Sequence, residues 1–225
     1  FLKFAETPPT KEGILAFANV YGKLNPVHGV FVPKKDGQSG LIFTDTLTSW
    51  QNEIHQIKQA VQIWEWLKDD NRNALRKVIV WSKDCKSVEY VVSEGLSIEV
   101  SSESKREVFA RFPTGGVVLP AQHLIQILIN KKLETHSIMP RLFMDDTNHL
   151  VGYLTPSSLL SAMWLQFYLA VIGEREYKRC SICGLWADTT EKRRNWNRHE
   201  ECANRERVAK HRKKKREKEA AENGD

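Results

Sequence analysis

The stretch Cys180-Ser181-Ile182-Cys183, joined by fifteen residues to His199-Glu200-Glu201-Cys202-Ala203-Asn204-Arg205, decides how the end of this chain folds. Its ligand spacing is Cys-x2-Cys-x15-His-x2-Cys. Thiolates and imidazole are the preferred ligands of Zn²⁺, and four of them close a structural tetrahedron. Each x2 pair lets two side chains of one tight turn reach a single ion, and fifteen residues suffice for a hairpin or loop between the pairs. Three Cys and one His leave no open coordination position, so the pattern predicts a structural Zn²⁺ and not a catalytic one. Cys180, Cys183, His199 and Cys202 are the expected ligands, with His211 as the substitute for His199. Gly184 suits a knuckle turn that needs a positive φ. Ile182, Leu185, Trp186 and Trp196 are expected to form a small apolar cluster between the pairs.

Charge sets the same end apart. Residues 1–191 carry 21 basic and 21 acidic side chains, residues 192–218 carry 13 basic and 4 acidic, and the last seven residues add three acidic. The whole positive excess of the chain therefore lies in the metal segment and its tail, which points to a polyanionic partner for that end alone. From Asn204 the chain is rich in helix formers and has no Gly or Pro until Gly224, which predicts a basic helix without an apolar stripe. The expected nucleic-acid contacts are Arg193, Arg194 and Arg198 before the helix, Arg205, Arg207, Lys210 and Arg212 on it, and Lys213, Lys214, Lys215 and Arg216 beyond. Such contacts give sequence-independent affinity with a steep salt dependence.

The rest of the chain reads as an α+β body of mixed helices and antiparallel strands. A Thr7-Pro8 start and Gly22 stop bracket a first helix. Short strands are expected at Val30–Val32 and Leu41–Phe43. Apolar periodicity predicts a second helix from Leu47 to Lys68, with Trp50, Trp64 and Trp66 as core residues. Strands follow at Val78–Trp81, Val88–Val92, Leu96–Val100 and Val108–Phe112. Pro120–Leu133 reads as a helix, Met139–Met144 and His149–Leu154 as a hairpin, and Thr155-Pro156-Ser157 as the cap of an apolar helix reaching Val171. That last helix is too short for a bilayer, which needs about 20 apolar residues, so no membrane partner is expected.

Four cysteines in 225 residues, three of them clustered, suit a metal site in a reducing cytoplasm better than a disulfide scaffold. Cys85 stands apart and reads as a bystander. Phe1-Leu2-Lys3-Phe4 has no apolar core or small-residue cleavage site after it, so it does not read as a signal peptide, and further residues are expected to precede it. No phosphate-cradling glycine loop or nucleophile elbow is present, and an enzyme is not expected. Asp145, Asp146 and His149 could form a carboxylate–imidazole cluster, but a polar hairpin turn accounts for them more simply.

The C-terminal stretch resembles the CGNR zinc finger of bacterial proteins. The resemblance rests on Cys180, Cys183, Trp186, Asp188, Arg193, Arg194, Trp196 and then Cys202-Ala203-Asn204-Arg205, about forty residues in all. Ala203 replaces the family's Gly. Asn197 stands where the family has a Cys after its Trp, and His199 looks like the replacement ligand. In that family the finger follows an ABATE-type domain, which Ile14–Asn19 faintly resembles. The resemblance implies a transcriptional regulator with an ABATE-like sensor or assembly domain over residues 1–176 and a treble-clef-like, DNA-binding zinc module with a basic helix over 177–225. A small-molecule ligand for the first domain and a homodimer are further expectations. The alternative is an RNA- or ribosome-associated protein using the same basic end, which exposed aromatics would favour.

Overall fold

The computed structural model describes the chain except residues 26–28, 34–38, 44, 94–95, 137, 191–198 and 223–225, and gives backbone alone for 29–33, 39–43, 93, 96 and 213–222. In chain order the elements are α1 (Leu2–Ala5), α2 (Lys11–Tyr21), β1 (Gly29–Pro33), β2 (Ser39–Phe43), α3 (Leu47–Lys68) and α4 (Arg72–Leu75). There follow β3 (Ile79–Trp81), β4 (Ser87–Ser93), β5 (Leu96–Ser101), α5 (Arg106–Phe109), α6 (Val118–Thr135), β6 (Ile138–Met144) and β7 (Leu150–Pro156). The chain ends with α7 (Leu159–Val171), β8 (Tyr177–Arg179), β9 (Trp186–Asp188) and α8 (Glu200–Glu222). It is a mixed α+β protein with antiparallel strands, and it divides into two compact units, residues 1–168 and 169–225.

The first unit is built on α3. Its Ile54, Ile57, Ala60, Val61 and Trp64 recur at the helical period and are buried, as the periodicity predicts; Leu67 of the same expected face is only half-buried, and Ile63 is buried as well. Trp50 is core as well, whereas Trp66 is only half-buried. Thr46 caps α3 by accepting the Ser49 N–H at 3.1 Å. From α6, Leu124, Ile125, Leu128 and Ile129 are buried, and from α7, Leu160, Trp164 and Phe167. Phe167 meets Trp64 edge-on with ring centroids 5.9 Å apart. Each such buried aliphatic or aromatic side chain contributes roughly 1.5–3 kcal/mol. β3, β4 and β5 form a three-stranded antiparallel sheet, tied to α3 where the Gln59 amide donates to the Val91 carbonyl at 2.8 Å.

Two polar links are set into this apolar interior. Lys132 Nζ of α6 lies 2.5 and 2.7 Å from the Glu53 carboxylate of α3, and both side chains are largely buried. Tyr90 of β4 is fully buried, with its hydroxyl 2.9 Å from His123 Nδ1.

Three sequence expectations are corrected. The first long helix starts at Lys11, not at Pro8. Thr10 is its cap and accepts from Gly13 N at 3.2 Å. The Pro8 carbonyl lies so near Gly13 that a Cβ there would sit 2.5 Å away, so the first turn of the helix takes glycine at this position. Val108–Phe112 is not a strand: α5 and a turn occupy it, because Phe109 and Phe112, three apart, turn their rings together at 6.1 Å while Phe109 packs on Trp81 at 5.8 Å. Thr155 and Pro156 belong to β7. The cap of α7 is Ser158, whose hydroxyl accepts from Ser161 N at 3.1 Å while Ser158 N donates back to the Ser161 hydroxyl at 2.8 Å.

The Glu53–Lys132 pair yields a stability test. Lys132→Met leaves a buried carboxylate without its cation and should lower the unfolding free energy by about 3 kcal/mol, whereas Glu53→Met/Lys132→Met should recover most of the loss. Denaturant titration of the first unit's tryptophan fluorescence reads both.

Candidate metal centre

The second unit is assembled from a short hairpin and a helix start. β8 and β9 pair antiparallel in the register Tyr177↔Asp188, Lys178↔Ala187 and Arg179↔Trp186. Between them the chain makes a tight knuckle. Cys180 N–H donates to the Leu185 carbonyl at 2.8 Å and Gly184 N–H to the Cys180 carbonyl at 2.9 Å. Gly184 takes φ +72°, the left-handed conformation expected for it. The open end of the hairpin is closed by Thr189 N–H on the Glu176 carbonyl at 2.8 Å and Glu176 N–H on the Thr190 hydroxyl at 2.9 Å. Cys180 and Cys183 thus project from a turn whose backbone is pinned at both ends.

The other two ligands come from the start of α8. His199 immediately precedes the helix and its carbonyl accepts the Ala203 N–H at 3.0 Å, closing the first helical turn. Cys202 lies three residues on, so one helical turn carries both side chains on one face. Glu200 and Glu201 sit in that first turn, where carboxylates favour the positive end of the helix dipole.

The four ligand atoms converge. The Sγ atoms of Cys180, Cys183 and Cys202 and a ring nitrogen of His199 all lie within 4.8 Å of one another, close enough to hold a metal ion. His199 Nδ1 is 3.3 Å from Cys183 Sγ and 4.0 Å from Cys202 Sγ. Tetrahedral bonds of about 2.3 Å to sulfur and 2.0 Å to nitrogen would set such atoms roughly 3.5–3.8 Å apart, so the spacing fits. His199 Nε2 lies 2.8 Å from the Trp186 carbonyl. A carbonyl can only accept, so Nε2 carries the proton and Nδ1 presents its lone pair to the cluster. This is the outer contact that orients a metal-binding imidazole. Two ligands from a knuckle and two from a helix start are the treble-clef arrangement.

The thiols themselves favour a cation. Burial raises the Cys180 thiol, but amide hydrogen bonds from Cys183, His199 and Ile182 outweigh it and bring it down to about 6. Burial pushes the Cys202 thiol up to about 11, helped by its hydrogen bonds to Cys183 and Cys180 and by their charge. Without a cation the cluster therefore retains a proton on Cys202 at neutral pH.

Other predicted residues fall as follows. Ile182 and Leu185 are 45% and 56% exposed, so the expected apolar cluster does not form from them. Among the described residues from the hairpin to the helix start, the buried positions are instead Cys180, Ala187, Thr189 and Ala203. The knuckle side chains point away because the turn aims its thiols, not its apolar residues, inward. Trp186 is half-buried beneath the Arg179 guanidinium, 4.3 Å from its ring centre, and Trp196 lies outside the described residues. Arg193, Arg194 and Arg198 also lie outside them. Arg205, Arg207, Lys210 and Arg212 are exposed on α8, with Arg207 bound to Asn204 at 2.5 Å and Lys210 to Glu206 at 2.9 Å. The backbone of Lys213–Arg216 continues α8, and their side chains are outside the description. His211 is not in the cluster.

In the first unit, Asp145 accepts from Thr147 N–H at 2.9 Å, Thr147 O–H at 2.7 Å and His149 N–H at 2.9 Å. Those bonds, the His149 amide first, hold its carboxyl below the usual carboxylate range. The group makes an exposed hairpin turn, with Asn148 at φ +61°. The contact that sequence reasoning missed is the Trp186 carbonyl, since a backbone acceptor leaves no mark on residue identity. No protein-family description, curated protein or solved structure matches this chain.

Metal loading should depend on pH with a definite sign. Coordination needs all three thiolates, so binding displaces the Cys202 proton across the neutral range. Affinity measured against a chromophoric chelator should rise by about tenfold per pH unit for each proton released between pH 6.5 and 8.5, and fall more steeply below about 6, where Cys180 also protonates. An affinity flat across that range would contradict the ligand set.

Proposed function

We propose that the second unit is a structural-zinc module that grips nucleic acid, and that the chain is a DNA-binding transcriptional regulator. One observation carries the reading: Cys202 is a ligand of the cluster and also lies in the first turn of α8. A metal held there would fix the start of the helix that carries Arg205, Arg207, Lys210, Arg212 and the Lys213–Arg216 run. Helix nucleation is the costly step in helix formation, and a metal ligand in the first turn supplies it. A basic helix held at one end against a rigid knuckle can lay its cations along a phosphate backbone without first ordering itself.

The donor set supports Zn²⁺. Three thiols with one imidazole in a closed tetrahedron are soft-to-borderline donors of the kind that select zinc in structural sites. Cys180, Cys183, His199 Nδ1 and Cys202 would hold it, and it would supply folding energy rather than a reactive water.

The reading also draws on the resemblance to the CGNR finger. Ala203 stands where that family has Gly, and its small side chain is buried at 7% exposure. Asn204 then anchors Arg207 one turn on, which orders the first exposed basic residues. On this reading the first unit is the sensor or assembly domain. Duplex DNA is preferred to RNA on this reading because Arg179 covers one face of Trp186, a described aromatic beside the metal cluster.

The test is fluorescence anisotropy of labelled duplex DNA across a salt series, preceded by selection from random DNA and RNA pools. DNA should be enriched over RNA. Neutralising Lys213, Lys214, Lys215 and Arg216 together should weaken all sequences alike and shallow the log–log salt slope by about three to four units. Salt-independent binding, or a slope unchanged in that variant, would refute contact through α8.

A further inference from the structure

The metal cluster presents its three cysteines unequally to solvent. Cys183 is exposed, Cys202 is intermediate and Cys180 is buried at 2% exposure. Residues 181–185 are all exposed and form the tip of the knuckle, which carries Cys183 outward. Cys180 also receives amide hydrogen bonds from Cys183, His199 and Ile182, which draw charge from its sulfur and make it the poorer nucleophile. A reagent arriving from solvent therefore meets the Cys183 sulfur first.

We propose that Cys183 is the residue at which a peroxide oxidises this cluster, and that it then closes a disulfide with Cys180 that expels the metal. This rests on the zinc site proposed above and not on nucleic-acid binding. The turn selects the pairing. Cys180 and Cys183 lie three residues apart in a turn closed by Gly184 N–H on the Cys180 carbonyl at 2.9 Å. Cα atoms three apart in a helical turn are about 5 Å from one another, inside the roughly 4.4–6.8 Å that a disulfide spans. The two Sγ atoms already lie within 4.8 Å. The bond forms within one turn, whereas a bond from Cys183 to Cys202 would join two elements.

One hydrogen peroxide balances the reaction. The Cys183 sulfur attacks one peroxide oxygen, the O–O bond breaks, and the departing oxygen takes a proton and leaves as water. Cys183 is then a sulfenic acid, which condenses with a neighbouring thiol. The Cys180 sulfur attacks the Cys183 sulfur, the S–O bond breaks, and the hydroxyl takes a proton and leaves as water. The two sulfurs give up two electrons and the peroxide accepts them. His199 and Cys202 remain as two ligands of a four-ligand site, too few to retain the ion. The knuckle and the start of α8 then lose their common anchor.

The test uses the full zinc-loaded chain, hydrogen peroxide and a chromophoric chelator that reports free zinc. The zinc content of the reduced chain is measured first. The expected result is release of the bound zinc by peroxide and its uptake again after a thiol reductant and Zn²⁺ are added. Trypsin cuts after Arg179, Lys192, Arg198 and Arg205, so Cys180 and Cys183 share one peptide and Cys202 lies in another. Without reductant, a Cys180–Cys183 bond appears as one peptide lighter by two hydrogens, whereas a bond to Cys202 joins two peptides. Two variants that keep four ligands separate the sulfurs. Cys183→His should slow release about tenfold or more, and Cys202→His should release zinc as the parent chain does. The peptide masses of the parent chain decide the pairing even where a variant fails to load. Zinc retained while the same peroxide oxidises glutathione in the same solution would overturn the proposal. So would release from Cys183→His at the parent rate, or a Cys183–Cys202 bond. A reduced chain without zinc, seen before peroxide is added, would refute the zinc site and the proposal with it.

Discussion

Three thiols and an imidazole lie within 4.8 Å of one another, so ionised thiols would crowd like charges that a cation at their centre relieves. The organisation of the second unit follows from that constraint. Its described buried residues between the knuckle and the helix start are Cys180, Ala187, Thr189 and Ala203. Two alanines contribute roughly 1–2 kcal/mol of apolar burial, whereas a structural zinc contributes of order 10–16 kcal/mol. The hydrogen bonds around the knuckle and the Trp186–His199 contact orient the ligands, but the metal would supply most of the energy that holds them there. In the proposed function the same ion sets the origin of α8, so metal binding and presentation of the basic residues are one event.

The first unit solves its folding problem in the ordinary way. α3, α6 and α7 contribute a continuous set of buried aliphatic and aromatic residues, and the Glu53–Lys132 pair and Tyr90–His123 hydrogen bond sit within or beside it. Such polar links cost desolvation and favour a single packing arrangement over apolar alternatives. The β6–β7 hairpin departs from this economy by exposing leucine and methionine on both strands. Its turn is rigidified by Asp145 instead, which accepts three hydrogen bonds within five residues.

Much of this was legible from residue order. The bounds of α3 followed from its apolar periodicity, whereas its Thr46 cap emerged only in the structure. The β6–β7 hairpin followed from two apolar runs around Asp145-Asp146-Thr147-Asn148, and the ligand set from two x2 pairs. Each of these is a repeating or tightly spaced signal. The errors came where a local run had two readings. Val108–Phe112 is apolar enough for a strand, and only the packing of Phe109 on Trp81 selects a helical turn. Ser158 was missed as a cap because Pro156 drew the helix start two residues early. Ile182 and Leu185 were assigned to an interior because they are apolar, but a knuckle that turns its thiols inward must turn its neighbours outward. The proton position on His199 depends on a backbone carbonyl thirteen residues away, which no spacing rule conveys.

The account stands or falls on whether the metal and the nucleic-acid surface are coupled. The direct measurement is anisotropy of a labelled DNA duplex at fixed salt with the chain zinc-loaded, stripped by a chelator, and reloaded with either Zn²⁺ or Mg²⁺. The predicted result is that stripping weakens binding sharply and that Zn²⁺ restores it while Mg²⁺, which prefers oxygen ligands, does not. A stripped chain that binds the duplex as tightly as the loaded one would contradict it.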